Sequence, residues 1–325
     1  MTDSAWMAEA EPSGWNERAR TVAAELAASA AERAASGRLP HREVALLKES
    51  GLITLLGPAE HGGGAQEWPV ADQTVRIVSA ADPALGDLLG RHYVWVKLAS
   101  FIATEEKTEH IDEVAARAGW LFGGARDVRG ATLAVRDRGD DIVFNGRITP
   151  TVAARVSDIT LLEGRFPDGA LVSSLAMSTH VGLTFEGDEA GTVTVRDADI
   201  PWTGALGYVD KVFRPRVYNS LLAATLDLVL ANVALGTARG RIDTAAEHPP
   251  TDLAASRAAL GAVEAEADSV SAAAGELHRR AVELTEPEVT AHTRRAARLL
   301  ARAKDVAASA ARADAHAVPQ GGGAR

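Results

Sequence analysis

The sequence contains no cysteine among its 325 residues. This absence excludes a disulfide framework, a thiolate nucleophile, a cysteine-ligated zinc or iron–sulfur site and a c-type haem attachment. Basic residues are also in the minority, because 34 Lys and Arg stand against 44 Asp and Glu and the formal net charge is −10. An acidic protein repels phosphate groups, so we expect neither a nucleic acid nor an anionic membrane as a partner.

The sequence also has no long uncharged apolar run. Its most apolar stretch, 221–235, is interrupted by Thr225, Asp227 and Asn232. A membrane span needs about 20 mostly apolar residues, so this stretch favours a helix buried inside a helical domain. The acidic segment 1–14 lacks an Arg-rich region followed by an apolar core, and no signal peptide is expected. We therefore predict a soluble, cytoplasmic protein.

The order of hydrophobic periods along the chain predicts an α+β protein. Apolar spacing and end signals predict helices over 13–37, 39–51, 70–81, 85–103 and 107–118. From Gly119, short β-branched runs separated by Gly, Asp, Asn and Pro predict strands over 131–136, 141–144, 159–163, 170–177 and 191–196. This spacing is typical of an antiparallel barrel or sandwich.

Helical sequence returns at 218 and continues to the C-terminal region. Val263, Val270, Leu277 and Leu284 recur every seventh residue beside an alanine-rich row, which predicts a seam that packs against a neighbouring helix. Thr285 with Glu288 has the form of a capping box and predicts the start of the last helix. We expect an N-terminal helical domain (1–118), a β domain (119–216) and a C-terminal bundle (217–325). The seam further predicts a homodimer or homotetramer.

General motifs for chemistry are mostly missing. There is no HExxH metal motif, no G-x-S-x-G elbow and no Walker loop, and no metal site is expected. Gly62–Gly64 is expected to be a plain loop. His92 stands beside Tyr93 in an apolar helix, and it fits either a packing histidine or a catalytic one.

A set of short phrases in a fixed order carries more information than any single motif. These phrases are Leu39–Pro40, Lys48–Leu52, Pro58–Gly63, Ala80–Gly86, Arg91–Tyr93, Phe122–Ala125, Phe144–Arg147, Gly191–Pro201 and Ala234–Gly240. Together they resemble the acyl-CoA dehydrogenase superfamily over about 15–300. The His92–Tyr93 pair is similar to the branch that contains dibenzothiophene monooxygenases and sulfur-acquisition oxidoreductases.

The resemblance implies a flavin-dependent oxidoreductase, most simply a two-component monooxygenase that acts on a small apolar or aromatic metabolite. It implies FMN or FAD as the cofactor and a separate flavin reductase as a partner. His92 is then the residue expected to hydrogen-bond the reacting oxygen. The residues expected to hold the flavin are Phe122, Gly123, Gly124, Ala125, Thr149 and Thr151. Those expected to line the substrate pocket are Tyr93, Trp95, Tyr218 and Asn219.

Several positions depart from the family pattern. Gly124 stands where the monooxygenase branch has an Asn near the flavin, and Ala153 replaces a glycine. Of the expected hydroxyls only that of Thr151 remains, and the C-terminal bundle is expected to be shorter than the family's. An alternative is therefore a flavin-free relative, either a non-redox enzyme or a partner subunit of a biosynthetic complex. A second alternative is an acyl-CoA dehydrogenase, although no counterpart of its acid/base Glu is found.

Overall fold

The structure is a computed structural model and describes residues 12–126, 132–187, 191–214, 217–246 and 253–317. The helices in these residues are α1 Pro12–Ser36, α2 His41–Glu49, α3 Trp68–Ala81, α4 Pro83–Val96, α5 Leu98–Ile102, α6 Glu105–Ala118, α7 Val152–Val156, α8 Leu221–Ala245, α9 Leu253–Arg280 and α10 Glu286–Ala317. The strands are β1 Phe122–Gly123, β2 Leu133–Arg138, β3 Asp141–Ile148, β4 Ile159–Arg165, β5 Leu171–Met177, β6 Leu183–Glu186, β7 Thr192–Pro201, β8 Ala205–Leu206, β9 Tyr208–Val209 and β10 Val212–Phe213. The predicted order of helices, strands and helices is confirmed.

Local signals explain where two of these helices begin and end. The Thr104 hydroxyl accepts the N–H of Lys107 and caps α6, and Gly119 ends this helix with φ of +58°. At α10 the Glu288 carboxylate accepts both the backbone N–H of Thr285 (2.9 Å) and its hydroxyl (2.7 Å). The predicted capping box therefore forms only in part. The Glu288 carboxylate caps the Thr285 N–H, whereas the Thr285 hydroxyl donates to the same carboxylate instead of capping the N–H of Glu288.

The β region forms one eight-stranded sheet in the order β6-β7-β3-β2-β4-β5-β8, with β1 also paired to β4. The predicted strands are present and most pairings in the sheet are antiparallel, as expected, but the sheet is mixed. Both β1 and β2 run parallel to β4. Parallel pairing requires a crossover connection, and here 35 residues, 124–158, lie between the end of β1 and the start of β4. Strand periodicity carries no information about such long-range pairing.

Asn145–Gly146 was expected to mark a strand boundary, but it lies inside β3. The register between β3 and β7 shifts between Phe144 and Gly146. Gly146 has φ of +141° and Asp197 opposite has φ of +45°. The Asp197 N–H donates to the Asn145 side-chain oxygen at 2.9 Å. Arg196 and Asp197 of β7 therefore lie opposite the single residue Asn145 of β3, which is a β-bulge in β7, and β3 continues through Asn145–Gly146.

The described chain divides into two compact units, which we describe separately. Unit 1 contains Ser29–Gln66 and Arg91–Leu222, and unit 2 contains Pro12–Ala28, Glu67–Gly90 and the chain from Ala223. In unit 1 an apolar core lies on the sheet, with Leu133, Val135, Phe144, Leu162 and Val193 among its buried members. The three-domain division at 118/119 and 216/217 stays a prediction.

The core of unit 2 is formed by α8, α9 and α10. The seam on α9, including Leu260, Val263, Ala267 and Val270, is buried in this core together with Leu299 of α10. The seam is therefore covered inside one chain, and it is not the free face that we expected to pack against a second copy. A homodimer or homotetramer stays a prediction without that support.

One helical segment, Val217–Ala245, is long and apolar enough to cross a membrane by length and composition. Yet 61% of its most apolar window is buried inside the protein. This burial is typical of a core helix of a soluble protein, as predicted for 221–235.

Helices α3 and α8 of unit 2 approach each other closely at glycines of α8. A Cβ placed on Gly236 would lie 2.2 Å from the Arg76 carbonyl oxygen and 2.6 Å from the Ser79 Cβ. Gly240 meets the Ala80 carbonyl oxygen in the same way, at 2.1 Å. Backbone atoms cannot move aside as a flexible side chain can, so these positions require glycine.

We therefore expect Gly236→Ala to lower the free energy of unfolding by about 2–3 kcal/mol, because the added methyl overpacks the interface. The matched control is Gly261→Ala on α9, where nothing lies within 4 Å of the added Cβ. This control should raise stability by up to about 1 kcal/mol through the better helix propensity of alanine. Urea unfolding of both variants checks the prediction, and equal effects of the two substitutions would contradict it.

Candidate functional site

The imidazole of His92 on α4 holds two other segments of unit 1. The ring is 0% exposed. Its Nε2 lies 2.7 Å from the carbonyl oxygen of Ile53, and its Nδ1 accepts the backbone N–H of Phe122 at 3.0 Å. Because Nδ1 accepts and Nε2 faces a carbonyl, we assign the tautomer with the proton on Nε2. His92 thus fixes both the 3-10 turn Leu52–Thr54 and strand β1 relative to α4.

The same environment keeps this ring neutral. Burial lowers the pKa of His92 from its ordinary value of 6.5 to about 4, and the nearby charge of Lys48 acts in the same direction. With both nitrogens engaged, His92 has no free N–H for a reacting oxygen. The geometry therefore supports a positioning role for His92 in place of the direct role expected from the sequence.

An ion pair supports the residue that precedes β1. Lys48 Nζ lies 2.6 Å from Asp158 Oδ2, and the same oxygen accepts the backbone N–H of Leu121 at 2.7 Å. The Asp158 N–H in turn donates to the Leu121 carbonyl oxygen at 2.9 Å. Asp158 was not identified from the sequence. The one indication of this site in the sequence was its partner Lys48, which lies in a phrase that carries the family resemblance.

The two segments expected to hold a flavin lie side by side. The Arg126 N–H donates to the Thr149 carbonyl oxygen at 2.9 Å, and the Thr151 N–H donates to the Gly124 carbonyl oxygen at 3.1 Å. The Thr151 hydroxyl is 2% exposed and also donates to Gly124, at 3.3 Å. Thr151 is therefore used to join the two segments, whereas Thr149 is exposed.

The backbone at Gly123 leaves no room for a side chain. A Cβ at this position would lie 2.5 Å from the Cα of Ala154 at the start of α7. Ala153 and Ala154 are themselves fully buried. Helix α7 was not predicted, because five residues are too few to show a helical period. This short helix packs directly on Phe122–Ala125, which we call the glycine segment.

Gly124 is packed against the indole of Trp95. A Cβ on Gly124 would lie 3.4 Å from Cε2 of Trp95 and 3.2 Å from the Leu161 Cβ. Trp95 is 1% exposed, and its Nε1 has no hydrogen-bond partner among the described residues. The position that carries Asn in the monooxygenase branch is thus a glycine here, and the indole of Trp95 packs beside it.

The other residues expected to line the substrate pocket are held by a hydrogen bond or by packing against their neighbours. The hydroxyl of Tyr93, which is fully buried, donates to the Leu52 carbonyl oxygen at 2.7 Å. Tyr218 stacks on Phe101 with ring centroids 4.9 Å apart, and burial raises the pKa of Tyr218 to about 12. Asn219 follows in the 3-10 turn Val217–Ser220 and is partly buried. Their contact with substrate stays a prediction.

Sequence analysis missed a cavity of about 630 Å³ in unit 1. It lies between α6 and one face of the sheet, and its lining is largely apolar. Phe122, Trp120, Ile159, Met177, Ile200 and Leu206 contribute to the lining, and Lys107, His180 and Asp199 add polar groups. Because Phe122 belongs both to this lining and to the glycine segment, the cavity adjoins the predicted flavin-binding residues.

Comparison with known proteins supports the expected fold. The chain is 30% identical over 259 residues to a dibenzothiophene monooxygenase of Rhodococcus qingshengii, which covers 72% of this chain and 61% of that protein. The chain therefore spans less than two thirds of the length of the curated relatives it matches. No family model matches it.

Two solved structures are similar over most of their length. Methanesulfinate monooxygenase from Pseudomonas fluorescens superposes with a TM-score of 0.85 at 20% identity, covering 93% of this chain and 86% of that one. The FMN-bound dibenzothiophene monooxygenase of Paenibacillus sp. A11-2 gives 0.79 at 22% identity, covering 91% and 84%. The acyl-CoA dehydrogenase-like fold predicted from the sequence is confirmed.

Replacing His92 should destabilise unit 1. We expect His92→Leu to lower the free energy of unfolding at pH 7 by about 2–4 kcal/mol, because the buried Ile53 carbonyl and Phe122 N–H both lose their partner. His110→Leu, on the exposed face of α6, is the control and should change stability by less than about 0.5 kcal/mol.

The pH dependence gives an independent check of the same substitution. The folded-state pKa of about 4 lies below the ordinary 6.5, so acid protonates the unfolded chain first. The contribution of His92 is therefore complete at pH 7 and is lost as the pH falls from 6.5 toward 4. Urea unfolding at pH 7 and pH 5 should show a smaller loss in His92→Leu than in the parent, and equal losses would contradict the assignment.

Proposed function

We propose that the chain is a flavin-dependent monooxygenase of the two-component type. It would use reduced FMN or FAD, delivered by a separate reductase, and transfer one atom of O₂ to a small apolar or aromatic substrate. The observation that carries this proposal is the junction of Phe122–Ala125 with Thr149–Thr151, in a chain similar to dibenzothiophene monooxygenases. We further propose that the protein acts in the cytoplasm as a homodimer or homotetramer.

The residues at this junction fit a flavin by their chemistry. The flavin ring carries carbonyl oxygens and ring nitrogens that accept hydrogen bonds, and backbone N–H groups and hydroxyls are suitable donors. The backbone N–H groups of Gly123–Ala125 and the exposed Thr149 hydroxyl would hold it, whereas the Phe122 N–H is already bound to His92. Thr151 would join the two segments from inside. A bound reduced flavin would supply the electrons that activate dioxygen.

The chain's own contribution is to position these groups and to exclude water. His92 and Asp158 fix the main chain at Phe122 and Leu121, so the donors need no rearrangement when a ligand binds. The neutral His92 ring keeps its proton on Nε2, where it makes a hydrogen bond to the Ile53 carbonyl oxygen. The ring therefore transfers no proton to a reacting group at pH 7. The apolar walls of the cavity beside Phe122 would keep water from the reacting groups.

The cavity also supports the proposed substrate class. Its volume of about 630 Å³ lies within the range of roughly 300–1,000 Å³ that is usual for small-molecule sites. Its aromatic and aliphatic lining favours a flat apolar molecule over a charged one. An acyl thioester substrate has no specific support, because the carboxylates described near this junction have other partners. Asp158 binds Lys48 and the Leu121 N–H, and Asp199 in the cavity lining is paired with Arg138.

The test is reconstitution of the purified chain with a flavin reductase, NADH and FMN or FAD under ¹⁸O₂. Dibenzothiophene and indole are suitable probes, and mass spectrometry should find one ¹⁸O per product molecule. Omitting the flavin or the reductase should abolish the product. Gly123→Ala should also reduce it, because its methyl cannot fit beside Ala154, whereas Gly261→Ala should not.

Binding is measured separately by anaerobic titration of the protein with reduced FMN and reduced FAD. Saturable binding with an increase in Tm supports the proposal. Absence of binding and of any flavin-dependent product would contradict it and would favour the flavin-free alternative.

A further inference from the structure

The indole N–H of Trp95 is a buried donor that the fold itself does not use. The side chain is 1% exposed, yet Nε1 has no hydrogen-bond partner among the residues described. Leaving a buried donor unpaired costs free energy, so native structures seldom do so without a reason. One such reason is a ligand atom that completes the hydrogen bond when it binds.

The position of this donor is informative. Cε2 of Trp95, the ring carbon bonded to Nε1, lies 3.4 Å from the point where a Cβ of residue 124 would be, and Cζ2 lies 3.5 Å from it. The edge of the indole therefore occupies the space that a side chain at 124 would enter. A Cβ at 124 would be in van der Waals contact with the indole and 3.2 Å from the Leu161 Cβ, so a side chain as large as Asn at 124 would require Trp95 or Leu161 to move.

We propose that Trp95 donates a hydrogen bond from Nε1 to the bound flavin, replacing the side-chain donor that Gly124 cannot provide. This inference rests on the proposed function. The resemblance places an Asn at position 124 in the monooxygenase branch, and the amide of Asn and the indole of Trp both offer an N–H group. Here the donor would come from α4 instead of the loop.

The fold holds this donor in place. Trp95 follows His92 by three residues on α4, so the two side chains project from neighbouring positions on the helix. His92 fixes the backbone of Phe122, two residues before Gly124. The same helix thus sets both the glycine segment and the indole that packs on it. The indole N–H is neutral and only donates, so its partner must be an oxygen or nitrogen acceptor.

The first test removes the N–H and keeps an aromatic ring. Trp95→Phe should weaken binding of FMN about tenfold in a fluorescence titration, the equivalent of about 1.4 kcal/mol. Trp202→Phe is the matched control, because its Nε1 donates to Asp137 at 3.0 Å, away from this segment. It should leave the Kd for FMN unchanged. Equal Kd values for the parent and Trp95→Phe would overturn the inference.

The second test uses the limited space at position 124. Gly124→Asn alone should weaken FMN binding because Trp95 and Leu161 leave it too little space, and Trp95→Ala alone should weaken it by removing the donor. The double variant should bind FMN more tightly than either single variant, since the amide then has both space and a partner. Additive losses in the double variant would overturn the inference.

A third measurement observes the indole directly. The chain has six tryptophans, and ¹⁵N labelling of their indoles gives one N–H signal each. The signal that is missing from Trp95→Phe belongs to Trp95. Adding FMN to the parent should shift this signal, and no shift of it would overturn the inference. If the parent binds no flavin at all, both the proposed function and this donor role fail. If it binds flavin with Trp95→Phe unaffected, only the donor role fails.

Discussion

The two hydrogen bonds of the His92 imidazole are the constraint on which the candidate site depends. They join α4 to the turn at Ile53 and to the start of β1, three segments that are separated by 30 residues or more in the chain. A charged ring could not accept the N–H of Phe122 at Nδ1, so the arrangement requires a neutral histidine. Burial supplies that condition by lowering the pKa of His92 to about 4.

The site is built mainly from main-chain atoms. Asp158 holds Leu121, His92 holds Phe122, and Thr151 holds Gly124, each by a hydrogen bond to the backbone. Side chains that differ from the family pattern therefore leave the frame intact. This explains how the chain keeps the fold of the solved structures to which it is similar although Gly124 and Ala153 depart from the family pattern.

Much of the architecture could be predicted from the sequence because it rests on local signals. Periodicity and end signals identified α3, α6 and five of the ten strands described. The family resemblance assigned Phe122–Ala125 and Thr149–Thr151 to the same cofactor. Long-range partners were not predictable in the same way. Nothing local indicates that β1 runs parallel to β4, or that Ser271 donates to the buried Asp72 from 199 residues away at 2.6 Å. The pairing of Trp95 with Gly124 also becomes visible only when the chain is folded.

The most direct test of this account is the protonation state of His92 in the folded protein, measured by NMR on the ¹⁵N-histidine-labelled chain, with His92→Leu used to assign the signal. We predict a ring with a protonated Nε2 and an unprotonated Nδ1 that does not titrate between pH 5 and pH 8. A titration midpoint near 6.5, or a proton on Nδ1, would contradict the account. A ring that is protonated on Nδ1 cannot accept the Phe122 N–H and therefore cannot join Phe122 to Ile53.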